Sequence, residues 1–179
     1  MSRPDPVPWS PGFTLSWADF QAEQNPAELE DAYSAIRYRP RWTVGSEQSA
    51  DGLILFEILD LRIAAEFWPV LSWARPDCDD AVLRHQQGHF DLGELVVREE
   101  FGRVRGSVCG MRFPTRGRNK DQRMQNAKED SALVVESVVR KLEVVLAARQ
   151  AQYDRDTRHG ADSAAQSRFD DILRKSLRG

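Results

Sequence analysis

Leu83-Arg84-His85-Gln86-Gln87-Gly88-His89-Phe90-Asp91 is the stretch on which the reading of this chain turns. Short apolar or alternating runs, punctuated by proline and glycine, lie before it. Long segments with helical spacing lie after it. The stretch itself reads as helix, with Asp77 or Asp79 as N-cap and an end near Gly102. Strands first and helices afterwards is the pattern of an α+β fold. A small antiparallel sheet in the N-terminal half is expected to pack against this helix, a long helix and a C-terminal helix.

The strands of that sheet are read from three runs. Phe13-Thr14-Leu15-Ser16-Trp17 alternates apolar and polar residues. Leu53–Leu59 follows the Asp51-Gly52 turn signal, and Arg62–Trp68 follows a break at Asp60; as neighbours they are expected to pair antiparallel. Tyr33–Trp42 alternates weakly, and Pro40 argues against a central strand there. Residues 1–12 contain Pro4, Pro6 and Pro8 and read as an extended lead-in. Asn25 and Pro26 suit the start of a short helix through Ala32, or an ordinary loop. Downstream, Gly102–Gly117 reads as a loop with a short strand within 107–113. Asn119 or Asp121 begins the long helix, through about Tyr153, with Leu133, Val134, Val138, Leu142 and Val145 on its apolar stripe. Asp162 or Ser163 caps the last helix, which turns Phe169, Ile172, Leu173 and Leu177 to one side.

The bulk numbers fit this picture. The chain has 179 residues, which suits one domain, here residues 13–179 behind the lead-in. At 41% hydrophobic it can build a core, and a net charge of −3 gives no general pull toward nucleic acid or membrane. No apolar run is long enough to span a bilayer, and the proline-rich start is not a signal peptide. Two cysteines, Cys78 and Cys109, are too few for a disulfide scaffold. A cytoplasmic protein without a membrane span is expected.

The chemistry centres on histidine, of which there are only three: His85, His89 and His159. Four residues along a helix is about 400° of rotation, so His85 and His89 lie within roughly 40° of each other. Both imidazoles can reach one metal ion. The spacing is that of H-E-x-x-H zinc sites, except that Gln86 stands where that motif has glutamate. A third ligand is needed for a catalytic zinc. His159 ranks first, and a glutamate on the long helix, Glu129 or Glu136, second. Asp91 and Glu94 sit about 200° and 140° from His89, so they suit support of an imidazole better than ligation.

Four segments, in order, resemble one family. His85-Gln86-Gln87-Gly88-His89-Phe90-Asp91-Leu92-Gly93-Glu94 is similar to the H-E-Q-G-H-F-D-[IL]-x-E signature of a bacterial family of zinc-dependent proteases of unknown function. Leu15-Ser16-Trp17-Ala18-Asp19-Phe20 resembles its L-[ST]-W-x-D-F segment. Ser72-Trp73-Ala74-Arg75-Pro76 resembles the step before its motif helix, and Tyr153-Asp154-Arg155-Asp156-Thr157-Arg158-His159-Gly160 its Y-D-x-x-T-x-H-G segment. The resemblance implies a Zn2+ site on His85, His89 and His159, and hydrolysis of a peptide or protein substrate. The chain departs from the family in two ways: its members are often secreted, and their glutamate is Gln86 here.

Glutamine keeps the shape of glutamate but cannot take a proton from metal-bound water near neutral pH. General acid–base catalysis is typically worth 10²–10⁴-fold, so hydrolysis should be crippled unless Asp91, Glu94 or Asp154 substitutes. Tyr153 is placed to stabilise a substrate oxyanion, and Asp154 to support the site beside His159. The alternative is a non-enzymatic, zinc-stabilised module that binds a peptide or protein. One further feature is basic: residues 103–123 carry six arginines and a lysine against Asp121. Such a loop can meet phosphates or acidic peptides, or simply offset the chain's acidic half.

Overall fold

The structure is a computed structural model that describes residues 6–24 and 29–178. The fold is α+β, with a small antiparallel sheet and three helices, as expected. Its strands are β1 (Val7–Pro8), β2 (Ala32–Tyr33), β3 (Ile36–Gln48), β4 (Ile54–Phe67), β5 (Trp73–Ala74) and β6 (Arg112–Pro114). Its helices are α1 (Asp80–Gly106), α2 (Lys120–Thr157) and α3 (Ser163–Leu177). The main sheet runs β1-β4-β3 with β6 also on β4, and β2 pairs with β5 apart from it.

Several strand expectations are corrected. The runs 53–59 and 62–68 are one strand, β4, not a hairpin. Asp60 does not break it because the carboxylate lies at an accessible position and pairs with Arg62. The partner of β4 is β3, reached through a turn where Gly52 takes φ 87° and Ser49 N–H donates to Leu53 O. Pro40 lies inside β3, which is the edge strand of the order, where a missing N–H is tolerated. Phe13–Trp17 is not a strand. Its end caps a 3-10 turn, Trp17–Asp19, through reciprocal Ser16–Asp19 bonds, and Leu15 N–H donates to Gln87 Oε1 at 2.8 Å. The described part of the lead-in is extended and is held by the sheet: β1 pairs with β4, Val7 opposite Phe67. The helix considered over 25–32 falls partly outside the described residues, and its end, Ala32, belongs to β2.

The described residues cluster into two compact units, between which the chain passes four times. The first unit comprises 1–39, 64–97 and 143–179. Leu15, Phe67 and Phe90 form a hydrophobic core cluster in it, with Trp9, Phe13, Phe20, Ile36 and Leu83 packed around them. Gly93 has a packing reason here: a Cβ on it would come within 2.7 Å of the Ile36 side chain. The second unit comprises 40–63 and 98–142. Phe56 stacks on Phe113 at 5.2 Å, and Trp42 Nε1–H donates to Ser131 Oγ at 2.9 Å. Among the described residues no helix is long and apolar enough to cross a membrane. Cys78 and Cys109 are both free.

Candidate metal centre

Three pieces of chain in the first unit build the site: the first turns of α1, the last turn of α2 with its cap, and α3. Asp79 starts α1, its carboxylate accepting from Ala81 N–H and Val82 N–H at 3.0 and 3.1 Å. Two turns later His85 and His89 point to the same side, their Nε2 atoms 3.1 Å apart. α2 arrives with Asp154, whose Oδ1 lies 3.0 Å from His85 Nε2 and 3.0 Å from His89 Nε2. Three ligand-type atoms thus form a triangle of 3.0 to 3.1 Å. Donors about 2.0–2.1 Å from a tetrahedral zinc stand roughly 3.3 Å from each other, so the triangle is close to that size.

His159 closes one side. α2 ends in a left-handed run, Arg158 at φ 51°, His159 at 54° and Gly160 at 87°. His159 N–H donates to Asp154 O at 2.9 Å, a six-residue cap that satisfies a terminal carbonyl. The turn brings His159 Nδ1 to 3.9 Å from Asp154 Oδ1 while its side chain stays 63% exposed. Two consecutive non-glycine residues in this region are costly, which is more usual at functional sites than elsewhere. Gly160 is required for packing as well as φ, because a Cβ there would lie 2.9 Å from His85 Cβ. His85, Asp154 and His159 offer ligand atoms all within 4.8 Å of one another and form a group able to hold a metal ion.

The tautomer of His85 follows from its other side. Gln166 on α3, 2% exposed, donates through Nε2 to Tyr153 Oη at 2.6 Å and to Asp170 Oδ1 at 2.7 Å. Its Oε1 is therefore the acceptor, and it lies 3.2 Å from His85 Nδ1. Nδ1 carries the proton. Nε2 lies 3.0 Å from Asp154 Oδ1, and it meets that carboxylate favourably as the second N–H of an imidazolium or through a cation bound by both. A lone pair against a carboxylate is repulsive unless a cation lies between them. His89 keeps 11% of its side chain exposed, and its partial burial lowers its proton affinity against the opposing hydrogen bond to Asp154. Burial alone would raise Asp154, but the bonds from His85 and His89 outweigh it and hold the carboxyl far below its usual range.

Other expected site residues lie elsewhere. Tyr153 is stacked on His85, ring centres 4.6 Å apart, with its hydroxyl taken up by Gln166 and by His85 O at 3.3 Å. That position gives no support to an oxyanion role. It packs beneath Gly88, where a Cβ would lie 2.1 Å from the phenol oxygen. The close approach expected over Gly88 thus comes from a helix side chain, not a strand or substrate. Asp91 accepts from Trp9 Nε1–H at 2.9 Å and Gln87 Nε2–H at 3.1 Å, and burial raises its pKa. Asp91 supports the N-terminal segment, not an imidazole. Glu94 contributes its field to Tyr38. Glu129 and Glu136 are bound to Gln125 and Arg140 along α2 itself. Asp154, expected as support, sits instead among the ligand atoms.

Sequence reasoning missed Gln166 and Thr157. Thr157 Oγ1 donates to Tyr153 O at 2.7 Å and lies 3.4 Å from His85 Nδ1. The spacing Tyr153–Thr157, one helical turn, marks the buried side of the end of α2. Gln166 carries no such sign, because the partners that tie it to the site, His85 and Tyr153, come from α1 and α2.

A cavity of about 430 Å³ opens onto the cluster. His85, His89, Asp154, His159 and Gln86 line it, together with Glu30, Tyr33 and Ser34 from the segment around β2. Gln86 is 4% exposed; its Nε2 donates to Ala32 O at 3.4 Å, and its Oε1 has no partner. Comparison of the chain with family models, curated proteins and solved structures returns no match.

Proposed function

We propose that this chain is a zinc-binding protein of metallopeptidase type whose site holds a peptide or protein ligand and hydrolyses it slowly or not at all. Zinc would be held by His85, His89 and Asp154, with His159 as the fourth donor. The observation that carries this reading is the convergence of His85 Nε2, His89 Nε2 and Asp154 Oδ1 at 3.0 to 3.1 Å, close to the spacing of donors around a tetrahedral zinc, with His159 beside them. Three imidazoles and a carboxylate are a donor set that suits zinc, although it also takes other first-row divalent ions. When bound, the metal would polarise a carbonyl and acidify water.

What this chain's own residues add argues for binding over turnover. Gln86 cannot move a proton. Two of the three carboxylates considered as substitutes are engaged, Asp91 by Trp9 and Gln87 and Asp154 by the histidines, and Glu94 is not among the residues that line the cavity. Four protein donors would also fill a tetrahedral ion, which is the pattern of structural sites. His159 decides this point, since its exposed ring is free to leave. The two free thiols fit a reducing compartment such as the cytoplasm.

Peptide hydrolysis by the zinc-loaded wild type and by Gln86→Glu tests the proposal. Little or no activity in the wild type and a gain in Gln86→Glu is the expected result. Strong wild-type activity that chelation abolishes would overturn the slow or inactive reading. A second reading is favoured by Glu30, which lines the cavity and whose charge raises the proton affinity of His89. Were Glu30 the base, the wild type would cleave and Glu30→Gln would not.

A further inference from the structure

Among the described residues, Ser34 and Gln86 both have buried side-chain atoms without a hydrogen-bond partner, Ser34 Oγ and Gln86 Oε1. Both residues line the cavity that opens onto the histidine cluster. Each is nearly sealed, at 5% and 4% exposure. Leaving a buried polar atom unpaired is costly, and native proteins do so seldom without a functional reason. Two of them in the wall of one cavity mark a polar subsite.

We infer that Ser34 and Gln86 recognise an amide group of a ligand held beside the metal. The inference rests on the metal reading above and names what the cavity selects. The Gln86 carboxamide directs one of its two N–H groups at Ala32 O, which leaves Oε1 as the unpaired acceptor, and an acceptor calls for an N–H. Ser34 can donate its hydroxyl to a carbonyl. One donor and one acceptor in the wall of the same cavity are complementary to –CO–NH–. They are not complementary to a carboxylate, whose oxygens would face Gln86 Oε1 unpaired. The lining points the same way: it contains Glu30, Asp31 and Asp154 and neither lysine nor arginine. An interior amide of a chain fits this wall better than a terminal carboxylate. Reaching Oε1 takes only a turn of the terminal amide, a soft torsion, away from a bond to Ala32 O that is already long at 3.4 Å. In this view Gln86 is a reader of the ligand's N–H, not only the remnant of a base.

The test uses the full chain loaded with Co2+, whose visible spectrum reports binding at the metal. The probes are acetohydroxamic acid and its N-methyl analogue, which share a chelating group and differ in the N–H. The wild type should bind the N–H form about tenfold more tightly. In Gln86→Met the ratio should fall toward unity with the cobalt spectrum retained, and Gln86→Glu, which keeps the acceptor, should preserve it. Ser34→Ala should weaken both probes by a similar factor. Equal binding of the two probes by the wild type, an unchanged ratio in Gln86→Met, or unchanged affinity in Ser34→Ala overturns the inference while leaving the metal reading intact. Failure of the wild type to bind cobalt overturns both.

Discussion

Substituting Gly88 by alanine sets two effects of known sign against each other. In an exposed helix the change would stabilise by about 1 kcal/mol. Here the new Cβ would lie 2.1 Å from the Tyr153 hydroxyl and 2.6 Å from the carbon that bears it. The ring cannot swing aside: it is 1% exposed and enclosed by His85, His89 and Phe169 at 4.6, 5.2 and 5.1 Å. Relief requires a shift of about an ångström through a packed cluster, which places the cost near the upper end of the overpacking range, about 3 kcal/mol. The net loss is then about 2 kcal/mol, or roughly 4–8 °C in Tm for a chain of this size. The displaced ring also moves Gln166 and His85, so zinc affinity should fall in the same variant. Urea unfolding of the apo protein and competition with a chromophoric chelator measure the two losses. Gly88→Ala combined with Tyr153→Phe should cost less than the sum of the single changes. A Gly88→Ala protein as stable as the wild type, with zinc held as tightly, would refute the packing of α2 on α1 at this point and the link between that packing and the site.

Three further outcomes are expected. Gln166→Met removes the acceptor that fixes the His85 tautomer and should weaken zinc by about 10- to 100-fold in the same chelator competition, with near-wild-type secondary structure by circular dichroism. Asp162 accepts from Ala165 N–H at 2.9 Å at the start of α3, and hydrogen bonds from the Ala165 and Ala164 backbone lower its pKa. Its stabilising contribution is therefore present above the unfolded-state pKa, about 3.9, and is lost as pH falls through the lower folded value. Asp162→Ala should thus destabilise at neutral pH and lose less than the wild type on acidification, as read from urea midpoints at pH 7 and pH 2.5. Arg112 and Arg116 pair with Glu47 and Asp130 at 3.0 and 3.5 Å, and both arginines are exposed. Replacing either by alanine should shift stability by no more than about 1 kcal/mol, and a larger shift in urea would give these pairs a structural role they are not expected to have.

What the residues revealed in advance divides along physical lines. Helix starts were legible because caps are local: Asp79, Asn119 and Asp162 each bond to backbone N–H groups two or three residues on; the ends were less so, since α1 runs on to Gly106 and α2 to Thr157, past the expected ends near Gly102 and Tyr153. The two histidines were legible because their spacing is itself a local geometry. Strand limits were less so. Asp60 reads as a break, yet a strand position open to solvent accepts a charge, and β4 continues through it. Asp154 was seen as part of the site but assigned support, because sequence spacing cannot say which of Asp154 and His159 lies nearer the imidazoles of α1. The left-handed turn at 158–160 settles that distance, and its φ values are not predictable from Arg158 and His159, which rarely adopt them. Gln166 stayed hidden for a similar reason: its role is created by α3 docking beside His85 and Tyr153. The basic stretch read as available for phosphates is partly neutralised, since Arg103, Arg105, Arg112 and Arg116 all have carboxylate partners.

The central claim is that Asp154 joins the histidines in holding a metal. Zinc content by elemental analysis, after dialysis against metal-free buffer, tests it most directly in the wild type, Asp154→Ala and Asp91→Ala. One zinc per chain in the wild type and in Asp91→Ala, with little or none in Asp154→Ala, is the predicted result. A wild type that retains no metal after zinc loading, or an Asp154→Ala protein that retains it fully, would contradict the account.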